Sequence, residues 1–446
     1  MHCRRLWPIL APPRRAVLAR RSLVWRQYPR LAFSSDALSW SELECLLQTK
    51  GGARFPPKDR VNGPTNSQAT LRLFGKNERE VRVIFFRDKH AWCPYCQKIW
   101  IWLEEMEIPY KVDKVTMFCY GEKEDWYLDK VSSGMLPAVE IDGEVLTESD
   151  VILEALESKF GMLHRGMTDP AVLHCRKLER ILFRAWCKWL CSPLSVHDSE
   201  DQHSLQQFEK AIATVESKIS ETSGPYMLEE FSTADVIFAP YIERMNASLY
   251  YYKGYTIRDP ETRPKIASWF DAMEKRTAYR GTQSDVHTHV HDLPPQMGGC
   301  YSNTLCETIA NQKKVDTGPW DMHLPDVGYV EDFEYSRVDA VHRVIRHRHS
   351  ILAANPYGRE ITDIALRSTL TTMLSGKKCS IPLGSNTDRA LRYIRDRISV
   401  PRDMSVHAAR ELRTALEKTA SAIGTKAGPS IPVSHRRDQN PTLFQS

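Results

Sequence analysis

Between residues 81 and 161 the period of the apolar positions changes several times. VRVIFF (81–86) is a short β-branched and aromatic run, which predicts a buried strand. From Pro94 to Glu107 the apolar residues Ile99, Leu103 and Met106 fall at helical spacing. Ile108-Pro109 ends that helix, because proline disfavours the helical region in the residue before it. YKVDKVTM (110–117) predicts a second strand and Glu122–Val131 a short helix. LPAVEID (136–142) and EVLT (144–147) flank Asp142-Gly143, a tight-turn dipeptide, and predict a hairpin. Ser149–Phe160 closes the unit as a helix, with Gly161 as its stop. The predicted order is β-α-β-α-β-β-α.

Residues 169–280 carry helical periodicity almost throughout. Their clearest start signal is STADVIFAPYIERM (232–245), where Ser232 caps a helix and Asp235 bonds back to it. Gly281 to about residue 320 reads as turns. Four amphipathic stretches follow, at 338–352, 361–374, 387–398 and 405–420, and predict a further all-helical module. Upstream, 50–70 is rich in Gly, Pro, Asn and Ser and reads as linker. The expected division of the 446 residues is a leader (1–35), an N-terminal extension (36–80), an α/β domain (81–163), a helical domain (164–285), a helical extension (320–425) and a loose tail (426–446).

The net charge of +5 hides a strong asymmetry. Residues 1–35 hold eight arginines and no acid, residues 335–446 hold 19 Lys/Arg against 9 Asp/Glu, and 36–334 are left at −13. An acidic main body argues against wrapping nucleic acid. No run of eighteen apolar residues occurs, so neither a membrane span nor a membrane partner is expected. The arginine-rich, acid-free leader ending in FSS reads as an organelle transit peptide, chloroplast first and mitochondrion as the alternative.

Eleven scattered cysteines contain one C-x-x-C, CPYC at 93–96. That is no secreted disulfide framework, and at the first strand-to-helix turn of such a unit it reads as a thioredoxin-like redox motif. Thiol chemistry needs the thiolate, and a helix N-terminus favours an anion. Cys93 stands at that end, before Pro94, with Lys89 and His90 nearby, which makes it the attacking thiol and Cys96 the resolving one. The alternatives are an inert buried pair and a zinc half-site completed by HTHVH (287–291) and Cys300, although those histidines read first as a solvated loop.

Two further stretches suit a thiol partner. A cis Leu136–Pro137 bond would leave the Leu136 N–H and C=O open to an extended peptide, while an ordinary proline opening a strand is the alternative. Glu148 and Ser149 stand at a strand-to-helix turn able to hold an amino acid's ammonium and carboxylate, and T-E-S-D also suits a plain helix cap. Trp186, Trp189 and Tyr250–Tyr252 read as core, and the basic run VHRVIRHRHS (341–350) as a solvated face.

CPYC, MLP, ESD and then STAD, in this order and spacing, resemble the cysteine-type glutathione S-transferases with a glutaredoxin-like site, over about 81–280. The long C-terminal extension adds a resemblance to the iota class. The resemblance implies a thioredoxin-like N-terminal domain, an all-helical C-terminal domain, an extra helical module and a homodimer. It implies Cys93 and Cys96 as the catalytic pair, with glutathione held by Lys123, Leu136, Pro137, Glu148 and Ser149. It also implies glutathione-dependent reduction of a small disulfide, a glutathione adduct or dehydroascorbate, with conjugation of an electrophile as a further reaction. The competing reading is a binding module, carrying glutathione, a ligand or an iron–sulfur cluster, whose helical extension docks a protein partner.

Overall fold

A computed structural model describes residues 36–51, 59–193, 198–321, 324–379 and 386–423. The leader and the tail expected from the sequence lie outside these residues. After a first helix, α1 (Trp40–Gly51), comes the α/β unit: β1 (Leu71–Arg72), β2 (Val83–Asp88), α2 (Pro94–Glu105), β3 (Tyr110–Val115), α3 (Asp125–Lys130), β4 (Ala138–Ile141), β5 (Glu144–Thr147) and α4 (Ser149–Phe160). The sheet order is β1-β3-β2-β4-β5, with β2 parallel to β3 and antiparallel to β4. This is a thioredoxin-like sheet.

Local chemistry accounts for these elements. β2 is central and buried at every position but Ile84, as its continuous apolar run requires. It extends to Asp88, two residues past the predicted end, because Arg87 and Asp88 are themselves buried. Asp142 and Gly143 turn the β4–β5 hairpin with φ of 54° and 88°, the two positive values a two-residue turn of the favoured hand needs. β1, inside the expected N-terminal extension, is a short edge strand antiparallel to β3. Arg72 anchors it through a bidentate pair with Glu104 of α2, both N–O distances 2.8 Å and both side chains buried.

The helical part contains α5 (Pro170–Cys191), α6 (Asp198–Ser220), α7 (Thr233–Lys253), α8 (Pro264–Met273), α9 (Thr277–Thr282), α10 (Val286–Met297) and α11 (Cys306–Thr317). α7 is buried along its whole length. Its start is fixed as expected, with Asp235 accepting from the Ser232 N–H at 2.9 Å and also from the Met227 N–H and Trp269 Nε1. The turn-rich reading of 281–320 is corrected: α10 and α11 occupy most of it. Pro294 and Pro295 fall inside α10, and its first two turns are buried, so tertiary packing overrides the local breaker signal.

The remaining helices are α12 (Phe333–Ala354), α13 (Arg359–Ser375), α14 (Thr387–Arg397) and α15 (Val406–Ala422). Their core, with Val341, Leu366, Leu370, Leu391, Leu412 and Leu416, also takes Leu43 and Leu47 of α1. Trp40 Nε1 donates to Asp363 at 2.7 Å and Arg348 pairs with Glu44 at 2.8 Å. α1 is therefore part of the C-terminal module, while β1, later in the same extension, belongs to the sheet. That module joins the body through the buried pairs Arg413–Asp285 and Arg410–Asp326.

Candidate functional site

The strand register gathers three turns at one end of the sheet. Phe86 near the end of β2 faces Ala138 at the start of β4, and Ala138 faces Thr147 at the end of β5. The turn leading from β2 to Cys93, the Leu136–Pro137 segment before β4, and Glu148–Ser149 after β5 therefore emerge together.

Asp88 shapes the first turn, its carboxylate accepting from the Trp92 N–H at 2.7 Å. Cys93 occupies the N-cap of α2 with extended-type backbone (φ −60°, ψ 122°), and Pro94 follows at the first helical position. No side chain caps this helix, so its free N–H groups and positive dipole end are directed at the Cys93 position. Cys96, one turn on, is fully buried beside Cys93. Burial, aided by Cys93 and Asp88, pushes the Cys96 thiol well above its ordinary range, so it stays protonated.

The cation beside this turn is not the expected one. Lys89 is taken by Glu124, Nζ–Oε1 2.6 Å, and His90 is buried with its ring stacked on Tyr120 at 4.0 Å. Instead Arg244 of α7, buried, donates to the Trp92 carbonyl and to Gln97 Oε1 at 2.9 Å, and its guanidinium lies 4.6 Å from the Trp92 ring. Nothing in the local pattern of α7 marks Arg244, because a Glu-Arg pair in a helix reads as surface until the helix is known to be buried.

The Leu136–Pro137 peptide bond is cis. Among the described residues neither the N–H nor the C=O of Leu136 has a hydrogen-bond partner. Gly134 precedes it at φ +61°, and a Cβ there would meet Lys123 Cδ at 3.1 Å. Lys123 thus lies against this loop, its Nζ donating to the Thr116 carbonyl at 2.9 Å and standing 5.6 Å from the Tyr127 ring. Burial lowers the Lys123 pKa, against the pull of Cys96 and Cys93.

Glu148 has φ +66°, a left-handed conformation that costs a non-glycine residue roughly 1–3 kcal/mol and marks functional turns. Its side chain is exposed, while Ser149, the first residue of α4, is buried. The next residue, Asp150, ties α4 to α2 and α5 through Lys98 (2.9 Å) and Arg176 (2.5 Å). Tyr95, Phe118, Trp126 and Met135 are large apolar side chains left exposed; Tyr95 and Met135 stand within or next to these turns, and the Trp126 ring lies 6.3 Å from that of Phe86 near the end of β2. Sequence reasoning missed this group; Tyr95 and Met135 stand inside the CPYC and GMLP motifs themselves.

Other candidates fall elsewhere. HTHVH is not a loop: His287 and His289 are buried in α10, and His289 Nδ1 accepts from Trp92 Nε1 at 3.1 Å. Burial, with Arg244 beside it, drives His289 far below the usual histidine range and keeps it neutral. Among the described residues no group of three or more His, Cys, Asp or Glu gathers to hold a metal ion, so the donor set does not fit a resident zinc ion or a protein-ligated iron–sulfur cluster. Trp186, Trp189 and Tyr250–Tyr252 are core, the indoles donating to Ser248 (2.9 Å) and Asp201 (3.1 Å). No helix among the described residues is long and apolar enough to cross a membrane.

Comparison with known proteins bears on the same segments. The family model "Glutathione S-transferase, N-terminal domain" matches residues 92–159, and "Glutathione S-transferase, C-terminal domain" matches 200–272. Protein IN2-1 of Zea mays is 30% identical over 197 residues, 43% of this chain and 77% of that protein. Glutathione S-transferase DHAR2 of Arabidopsis thaliana is 26% identical over 196 residues, 43% of this chain and 84% of that protein. Chloroplastic glutathione S-transferase DHAR3 of the same plant is 26% identical over 211 residues, 46% and 75% respectively.

Proposed function

The chain belongs to the glutathione S-transferase superfamily and is an enzyme of it, and we propose that it works there by cysteine chemistry, reducing glutathione adducts, small disulfides or dehydroascorbate. The observation that carries this reading is Cys93 at an uncapped helix N-terminus, before Pro94, with a cysteine and no hydroxyl residue in the activating position. In the proposed step the Cys93 thiolate attacks the glutathione sulfur of a mixed disulfide. The Cys93–glutathione bond forms as the other sulfur leaves with a proton. A second glutathione thiolate then attacks the adduct, releasing glutathione disulfide and restoring Cys93. Cys96, held protonated by burial, is better suited to donate to Cys93 than to resolve the adduct.

Glutathione would lie along the open Leu136 backbone, with its γ-glutamyl end at Glu148 and Ser149 and its glycine carboxylate towards Lys123. The four exposed apolar side chains offer a surface for the second substrate. A homodimer, the iota class and a chloroplast location complete the proposal. CPYC with helices beyond α11 supports the class, and the leader composition together with the chloroplastic name of one relative supports the location.

The test is the steady-state rate of glutathione-dependent reduction of hydroxyethyl disulfide and of dehydroascorbate. Cys93→Ser is expected to lose at least a thousandfold in kcat, and Cys96→Ser to keep activity within about tenfold. Full activity in Cys93→Ser would end the cysteine reading.

A further inference from the structure

α5 ends at Cys191, and the segment that follows α10 brings a second cysteine back against that end. Gly298 and Gly299, with φ of 78° and 147°, turn the chain where α10 stops, and Cys300 comes directly after them. Such values favour glycine. The Tyr301 N–H then donates to the Leu190 carbonyl at 3.0 Å, which joins the residue after Cys300 to the residue before Cys191. Asn303 fixes the same segment to the end of α7. Its N–H donates to the Tyr252 carbonyl and its Nδ2 to that of Lys253, both at 3.0 Å. Cys191 and Cys300 are free, half-buried and packed on one apolar cluster.

The backbone bond decides how near the two cysteines are. With standard peptide dimensions, an N–H···O=C bond between their flanking residues leaves the two α-carbons about 4–6 Å apart, however it is rotated about its axis. A disulfide spans about 4.4–6.8 Å between α-carbons. Structural cysteines are mostly sealed in the core and inert, whereas these two are half-buried and open to a small disulfide. Cys191 is the better attacking thiol. The helix dipole opposes a thiolate at the end of α5, and the Lys253 ammonium, 5.8 Å from the Trp189 ring, offsets it. Cys300 and Lys253 together hold Cys191 below the ordinary thiol range, against burial. Cys191 and burial push Cys300 the other way.

We infer that Cys191 and Cys300 form a reversible disulfide, with glutathione disulfide as the oxidant, which crosslinks the end of α5 to the segment between α10 and α11. The Cys191 thiolate attacks one sulfur of glutathione disulfide, forming a mixed disulfide as one glutathione thiolate leaves. Cys300, its proton passed to that leaving thiolate, attacks the Cys191 sulfur. The protein disulfide forms and the second glutathione departs. Two protein thiols are oxidised and one glutathione disulfide is reduced to two glutathiones. The pair uses neither Cys93 nor Cys96, so it responds to the redox state of the glutathione pool independently of the thiol site.

The experiment is incubation of the full chain with glutathione disulfide, trapping of remaining thiols with N-ethylmaleimide, and peptide mapping by mass without reduction. It is run on wild type and on Cys93→Ser combined with Cys96→Ser, so that the outcome does not depend on the thiol site and survives a failure of the double variant to fold. A peptide pair linked through Cys191 and Cys300 is expected in both, lost on treatment with dithiothreitol and absent from Cys300→Ser. Cys187→Ser should keep the link, since Cys187 lies one turn earlier on α5 and is the competing thiol. The oxidised protein should also melt at least about 2 °C above the reduced one, a shift that Cys300→Ser lacks. No Cys191–Cys300 link, a link through Cys187 in its place, or equal melting temperatures overturns the inference.

Discussion

The guanidinium of Arg244 donates to the main-chain carbonyl of Trp92, the residue before Cys93, from 152 positions further along the chain. Through this bond and its bond to Gln97, the buried helix α7 sets the geometry of the thiol turn. Arg244 is also paired with Glu243 at 3.0 Å, so removing it takes the cation from a buried carboxyl group. Arg244→Met is expected to destabilise the protein by about 3–5 kcal/mol, read from the urea midpoint, and to lower the alkylation rate of Cys93 at fixed pH. An unchanged alkylation rate in the folded variant would remove Arg244 from the account of the site.

Glu148 separates strain from binding. Glu148→Gly should relieve the left-handed backbone and raise stability by up to about 1 kcal/mol, whereas Glu148→Ala keeps the strain. Both should raise the KM for glutathione by about tenfold or more while leaving kcat less affected. Thermal melts and glutathione saturation curves of the two variants check this together; an unchanged KM in both would exclude the side chain from the glutathione site.

Both Glu148 and its helix show how far a local reading reaches. The hairpin turn at Asp142-Gly143 and the bounds of α4 follow from the identities of a few adjacent residues, so they are legible in the sequence. Cys93 is legible for the same reason, since its helix-end position depends on Pro94 and the strand just before it. What is not legible depends on partners far along the chain. Arg244 and His289 approach Trp92 only because α7 packs on α2 and α10 packs on α7. α1 looks like part of a plain N-terminal extension until Leu43 and Leu47 meet helices some three hundred residues later.

That last pairing is testable. Leu43 is wholly buried against the C-terminal helices, so Leu43→Ala should cost about 2–5 kcal/mol. The loss should show as early proteolysis within α12–α15, with the glutathione-dependent rate at low temperature unchanged. Protection equal to wild type would mean that α1 does not support the module.

Glu124 sets a pH dependence at the edge of the site. Burial opposes its ionisation, but Lys89 and the N–H and hydroxyl of Thr116 outweigh it and hold the carboxyl at about 2. A depressed carboxyl stabilises the fold above its unfolded pKa, near 4.5, and that contribution is lost as pH falls from there to about 2. With solvent screening it should be about 1 kcal/mol. The melting temperature of Glu124→Gln should therefore lie below wild type at pH 7 and converge with it near pH 2; parallel curves would contradict this.

The central claim is that Cys93 is the nucleophile towards glutathione. Its most direct measurement is intact mass after incubation with oxidised glutathione, for wild type, Cys96→Ser, and Cys93→Ser combined with Cys96→Ser. The account predicts one stable glutathione adduct on Cys96→Ser that disappears when Cys93 is also replaced. No adduct that depends on Cys93 in any variant would contradict it.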